Sequence, residues 1–328
     1  MSTRATHLAK TICTDDVEKV PNRNGYGEGL LEAGKRDENI VALAADLTDS
    51  TKTHLFANEF PDRFVQVGVA EQNLSGVASG MAAMGKIPFM ASYSAFSPGR
   101  NWEQIRTTIA YNQVNVKVIG AHAGVSVGPD GATHQMTEDI ALMRVLPGMV
   151  VIAPADVHEA RKAVLAAAKY DGPVYIRLGR SATPVVTTEE SPFEIGKAEL
   201  VLEKDDAHEK TVGIVVTGSL LNNTIAAAEQ AEKDGVGVSV LHMPTIKPLD
   251  TKALEDFAKN HQALVTVEEH QVAGGLGSAV AEHLSGMHPI KITRIGIQDK
   301  FGQSGDPEEL VEHYGMGISA IEEAVKNS

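Results

Sequence analysis

Short runs of consecutive apolar residues, many of them β-branched, alternate along the chain with longer segments of helical spacing. The first set is IVALAAD at 40–46, FVQVGVA at 64–70, KIPFMAS at 86–92, VKVIGAH at 116–122, MVVIAPA at 149–155 and VYIRLG at 174–179. Strands that are apolar on both faces belong to a parallel sheet covered on both sides, because a sheet with one wet face would alternate. Helices are expected between them over 24–36, 71–84, 101–113, 138–146 and 157–169. Residues 181–198 follow neither period and carry two prolines and a cluster of acids, so they read as a connector. The rhythm then restarts with TVGIVVTG at 211–218, VGVSVLHM at 236–243, ALVTVEEH at 263–270 and IKITRIGI at 290–297, with helices near 220–234, 250–260, 276–285 and 306–326. The expected architecture is an α/β fold of two consecutive domains, 1–190 and 191–328, each a mostly parallel sheet flanked by helices.

In such sheets ligands bind beyond the carboxyl ends of the strands. Four strand exits in the first half are rich in polar and small residues: ADLTDS, AEQN, SYSAFSPGR and HAGVSVGPDGATHQ. The second delivers Glu71 to the start of a small-residue helix. That acid is either favoured there by the helix dipole or held for proton chemistry. The fourth, 121–135, holds His122, Asp130 and His134 among glycines and alanines that let main chain approach a ligand. These three could be solvated loop residues, reactive groups or metal ligands. Their spacing matches no common zinc pattern, and no cysteine ligand accompanies them. In the second half GGLG at 274–277 opens a helix after a strand, as a phosphate cradle would, but lacks dinucleotide spacing and is assigned no cofactor. Glu268 and His270 beside it are read as structural or interface groups.

With 328 residues, 43% of them hydrophobic, the chain can build two cores. Its formal charge of −14 argues against nucleic acid or an anionic membrane as partner, while leaving room for local basic sites that take small anions. The single cysteine, Cys13, is read as a passive thiol and is compatible with a reducing compartment. Neither a signal-type apolar core nor a membrane-length apolar run is found, so a cytoplasmic location is expected.

Several of these segments, taken in order, resemble one family. VGVAEQNLSGVASG, SYSAFSPGRNWEQIR, HAGVSVGPDGATHQ with the following EDIALMR, and RLGR resemble the pyrimidine-binding domain of transketolases; VEEHQVAGGLGSAVAEHL and KFGQSGDPEEL resemble their C-terminal domain. The resemblance runs from about residue 20 to the end. It implies thiamine diphosphate as cofactor. Glu71 matches the acid that hydrogen-bonds a ring nitrogen of the aminopyrimidine, and so lets the cofactor's amino group act as base in its imino form. Tyr93 and Phe96 match aromatics around that ring, and Asp46 an acid near the thiazolium. A third aromatic of the one-chain enzymes is replaced near Gly99 and Arg100. His122, Asp130 and His134 match residues that contact the sugar's hydroxyl and carbonyl oxygens, His122 and His134 being the catalytic pair beside Glu71. Arg23, Ser50 and Arg180 match the outer phosphate-binding group.

One-chain transketolases begin with a further domain, marked by a GDG motif, which holds the diphosphate and its divalent metal. This sequence contains no GDG. The resemblance therefore implies the C-terminal subunit of a split transketolase, active with a separate diphosphate-binding subunit that holds Mg2+ or Ca2+, in an assembly of two copies of each chain acting on sugar phosphates. No metal ligand is expected from this chain itself. Alternatives are a deoxyxylulose-phosphate synthase-like or 2-oxo-acid dehydrogenase beta-like subunit, against which His122 and the THQ sequence weigh, and a non-catalytic scaffold, against which the joint presence of Glu71 and both loop histidines weighs.

Overall fold

All ten apolar runs become strands in the computed structural model, which describes residues 2–205 and 207–328. In chain order the strands are β1 (Thr3–Arg4), β2 (Lys19–Pro21), β3 (Ile40–Ala44), β4 (Phe64–Gln66) and β5 (Ile87–Tyr93). Next come β6 (Lys117–Ala121), β7 (Val150–Ile152), β8 (Val174–Arg177), β9 (Ala182–Pro184) and β10 (Glu199–Glu203). The series ends with β11 (Lys210–Val216), β12 (Val236–His242), β13 (Thr245–Lys247), β14 (Ala263–Gln271) and β15 (Lys291–Ile297). The first sheet has the order β13-β7-β8-β6-β5-β3-β4 and is parallel except for β13. The second has the order β1-β10-β12-β11-β14-β15, with β1 and β10 antiparallel. Strands β3, β6, β7, β8 and β12 are buried along their whole length, the consequence of helices on both faces.

Each sheet borrows an edge strand from the other half of the chain. β13 pairs with β7, Thr245 opposite Ile152, and β1 pairs with β10, Thr3 opposite Glu203. Residues grouped with the first half by sequence order thus begin in the second sheet, where Leu8 and Ile12 join its core. A single apolar cluster runs through the seam, packing Leu43, Leu74, Met90 and Val118 with Leu241, Leu254, Leu264 and Leu276.

Most expected helices form within a residue or two of their reading, among them Asn22–Arg36, Glu71–Ala83 and Val157–Lys169. The first and last of these pack so closely that a Cβ on Gly25 would lie 2.0 Å from the Val157 carbonyl oxygen. Asp156 caps Val157–Lys169, accepting from the N–H groups of His158 and Glu159 and tying in the connector through Val186 and Thr187.

Three readings need correction. The helix expected over 306–326 is two, Pro307–His313 and Ile318–Lys326, separated where Gly315 takes a φ of 72° that ends the first. The segment expected as one helix over 101–113 is a short α-turn, Trp102–Gln104, continued as π-helix through Ile105–Ala110. Within the connector, Ala182–Pro184 forms β9 against β2. Among the described residues no helix is long and apolar enough to cross a membrane.

Candidate active site

The registers of the first sheet bring its strand exits to one edge. Ala44 pairs with Gln66 and with Ala91, and Tyr93 with Ala121, so Asp46, Glu71, Tyr93, His122 and Arg180 all leave the sheet on the same side. Glu71 opens the helix Glu71–Ala83 and is 4% exposed. Its carboxyl accepts one hydrogen bond, from Ser92 Oγ at 3.4 Å, and among the described residues no cation stands within ion-pair distance. Its backbone carbonyl accepts from Asn101 Nδ2 at 3.0 Å.

Four of the expected residues form one ring cluster. Tyr93 stacks on His122 with centroids 3.8 Å apart and on Phe96 at 6.2 Å, while His134 meets Tyr93 and Phe96 edge-on at 6.2 and 5.4 Å. His122 is buried and sits at a φ of 57°, a left-handed conformation uncommon outside glycine. Arg23 Nη1 lies 3.2 Å from His122 Nε2 and donates to the Ser50 carbonyl at 2.8 Å. Since a guanidinium can only donate, Nε2 is the acceptor and Nδ1 carries the proton, without a partner among the described residues. Burial, then Arg23, Arg180 and His134, hold the imidazole's pKa down at about 3, so it is neutral across the physiological range. Burial and Arg180 also lower the pKa of Arg23. At the outer rim Arg180 faces Asp130, Nε to Oδ2 at 4.0 Å, and both are about one-third exposed.

Asp46 and Ser50 line a hollow of about 260 Å3 with Leu47, Thr48 and Asp49. Asp46 is exposed, takes a φ of 58° and caps no helix, the next one beginning at His54. The structure therefore links Ser50, Arg23, His122, Tyr93, Phe96 and His134 in one chain of contacts, sets Glu71 next to it through Ser92, pairs Asp130 with Arg180, and leaves Asp46 at the margin. A second hollow of about 850 Å3 lies between the domains behind the His122–Gln135 loop, lined by Ser126, Ser181, Ser219 and Glu269 among others. None of the expected site residues lines it.

The loop that carries both histidines is held from the second domain. Glu269 accepts from Ser126 N–H at 2.7 Å and from Ser219 Oγ at 3.1 Å. Gln135 Nε2 donates toward the carbonyls of Val125, Gly128 and Gln303. Residues 302–305 lie so close that a Cβ on Gly302 would meet Gln135 at 1.8 Å. These supports, with Ser92 and Asn101, were not singled out in the sequence. Gln135 ends the quoted THQ and Asn101 has the residue type of a helix cap, which are the signals that could have marked them.

In the second domain the GGLG turn is filled by the chain itself. Glu268, fully buried, accepts from the N–H groups of Leu276 at 2.7 Å and Gly277 at 2.8 Å. His270 donates from Nδ1 to the Gln271 carbonyl and accepts the Ala141 N–H at Nε2. Both are internal. Among the described residues no group of three or more His, Cys, Asp or Glu side chains could hold a metal ion.

The residues fit an aminopyrimidine, with a buried carboxyl facing no cation among the described residues and aromatic walls, and leave the buried His122 N–H free for a further acceptor. Residues 18–186 match the model of the transketolase pyrimidine-binding domain, and 182–321 that of the transketolase C-terminal domain. A chain from Methanocaldococcus jannaschii described as a transketolase C-terminal section is 46% identical, over 91% of this chain and 93% of that one. A 6-deoxy-6-sulfo-D-fructose transketolase subunit from Clostridium sp. (strain MSTE9) is 40% identical over 91% of each. Among solved structures, a split-gene transketolase described as an inactive beta4 tetramer superposes with a TM-score of 0.86 at 44% identity, over 94% of this chain and 98% of that one.

Proposed function

The chain belongs to the transketolase family, and on that premise we propose that it is the pyrimidine-binding and C-terminal half of a split, thiamine-diphosphate-dependent transketolase. The complete enzyme moves a two-carbon ketol unit from a ketose phosphate to an aldose phosphate. The observation that carries this reading is Glu71, a buried carboxyl with a single serine donor, set at the sheet edge that also holds the four-ring cluster. When bound, the cofactor supplies a nucleophilic carbon and an electron sink. Glu71 would hydrogen-bond the pyrimidine nitrogen of the bound cofactor and share its proton there. Tyr93 and Phe96 wall the heterocycle and exclude water. His122, fixed by Arg23 in one tautomer, offers Nδ1–H to a substrate oxygen and takes up no proton near neutral pH. His134 stands edge-on to the same rings and completes the polar side of the funnel. Arg180, Arg23 and Ser50 meet the substrate's anionic end, and Asp130 selects a hydroxyl there. Asp46 would stand on the thiazolium side of the bound cofactor.

A separate subunit with a GDG motif would hold the diphosphate and its Mg2+ or Ca2+, in an assembly of two copies of each chain. The flank of the Glu71 helix supports this reading. Gly76 and Gly80 face open space, and Val69 and Met84, just outside the two ends of that helix, are 79 and 84% exposed. The test is co-expression with a GDG-containing chain, pull-down, and assay with xylulose 5-phosphate and ribose 5-phosphate with and without thiamine diphosphate and Mg2+. A complex with cofactor-dependent turnover is expected. Absence of both overturns the reading and leaves a scaffold.

A further inference from the structure

The connection between Glu71 and the aromatic walls runs through one buried side chain. Asn101 is fully buried and precedes the helical turn Trp102–Gln104. Its Nδ2 lies 3.0 Å from the Glu71 carbonyl oxygen, 2.9 Å from Ser75 Oγ and 3.2 Å from Ser97 Oγ. The first two acceptors lie within the first five residues of the helix that Glu71 begins, and the third in the loop that carries Tyr93 and Phe96. Only the amide nitrogen can face the Glu71 carbonyl, since a carbonyl oxygen cannot donate, so the orientation of the amide is fixed by chemistry. The helix start has no side-chain cap of its own, because Ala70 occupies that position. Ser97 is itself buried, and Gly99 closes the turn so tightly that a Cβ there would lie 2.1 Å from the Ala95 carbonyl oxygen. A loop this closely packed is a rigid reference for whatever it holds.

We propose that Asn101 is the positioning residue of this site: its buried amide fixes the Glu71 helix start against the loop bearing Tyr93 and Phe96, and so sets the acid's height relative to the ring it serves. The proposal rests on the role of Glu71 given above. Asn101 touches no reacting atom. Its effect is geometric, and small displacements of a proton-sharing group are costly because the transfer depends on hydrogen-bond reach.

The informative variant is Asn101→Asp, which keeps the volume and removes the donor. In the two-subunit enzyme at saturating cofactor, kcat should fall roughly 10- to 100-fold. In a Glu71→Gln background the same change should cost less than about twofold, because the group being positioned is already disarmed. In the isolated chain, with no cofactor present, amide hydrogen exchange over residues 70–76 should quicken in Asn101→Asp. An equal loss in both backgrounds, or unchanged exchange over 70–76, overturns the proposal. Should Asn101→Asp fail to fold, Ser97→Ala removes only the loop side of the link and should shift kcat in the same direction by a smaller factor, and an unaltered kcat there overturns it equally. If Glu71→Gln alone keeps normal turnover, the acid's role falls and this proposal with it, while the exchange result separately reports whether Asn101 anchors the helix start.

Discussion

Glu71 and Glu268 share their setting: a carboxylate within or just beyond an apolar strand, a helix that follows, and small residues around the junction. They differ in what the carboxyl finds. Glu268 reaches the N–H groups of the helix that follows it, one short bond to each oxygen, and so takes the place a phosphate would need. A Cβ on Gly275 would meet its Oε2 at 1.9 Å. Glu71 is itself the first residue of its helix, where no side-chain cap bond forms, and among the described residues its carboxyl accepts from Ser92 alone. A glycine-rich strand-to-helix turn therefore says little about ligand binding until the acceptor sites are counted. Position relative to the first turn decides whether an acid caps its helix or is left for something else.

The sharpest way to break that contrast is to neutralise each acid in turn. Glu71→Gln should lower turnover of the assembled enzyme by about 10²- to 10⁴-fold while leaving the isolated chain's unfolding midpoint nearly unchanged. Near-normal turnover with ample cofactor would remove the catalytic half of the comparison. Glu268→Ala should do the reverse, costing about 2–4 kcal/mol in denaturant unfolding by orphaning two buried N–H groups, with cofactor affinity of the folded fraction intact. A stable Glu268→Ala chain would show that the self-capped turn carries no weight.

A smaller effect separates the ligand side from the structural side by pH. The folded-state pKa of His122 is held at about 3, below the ordinary 6.5, so the unfolded chain takes a proton that the folded one refuses. Between those values stability should fall as pH drops, and His122→Gln should flatten that limb in acid titrations followed by circular dichroism. His242, paired with Glu159 inside the domain seam, has the opposite sign: burial opposes its charge, but Glu159 and its neighbours raise its pKa overall. Its contribution is full below 6.5 and is lost as pH rises through the folded value. The smallest expected change is Gly76→Ala. With open space around the position, alanine should stabilise the isolated chain by about 0.5–1 kcal/mol in thermal unfolding. Weakened association with the diphosphate-binding subunit, measured by calorimetry, would identify that glycine as a contact surface.

The interior of this fold was legible in the sequence because continuous apolar runs such as Val236–His242 have one stable destination. Edge strands of two or three residues have no period to read, which is why β1, β9 and β13 escaped notice. The break before Ile318 and the π-turns after Gln104 were hidden in the same way, since both segments keep helical composition. At the site, Glu71, Tyr93, Phe96, His122 and His134 were singled out through residue type and motif order, and the structure gathers the four rings. What could not be read was the support. Asn101, Gln135, Glu269 and Ser92 act through single hydrogen bonds to main chain or to another side chain, and such bonds depend on distances between segments far apart in sequence.

The exchange of edge strands between the two sheets has a consequence for how this protein can be rearranged. A crossover placed in the 181–198 connector, where composition suggests a clean junction, would separate β1 from β10 and β13 from β7, leaving each recombinant half with a foreign or missing edge. The two domains are thus inherited as a matched pair, and a functional chimera has to trade both together.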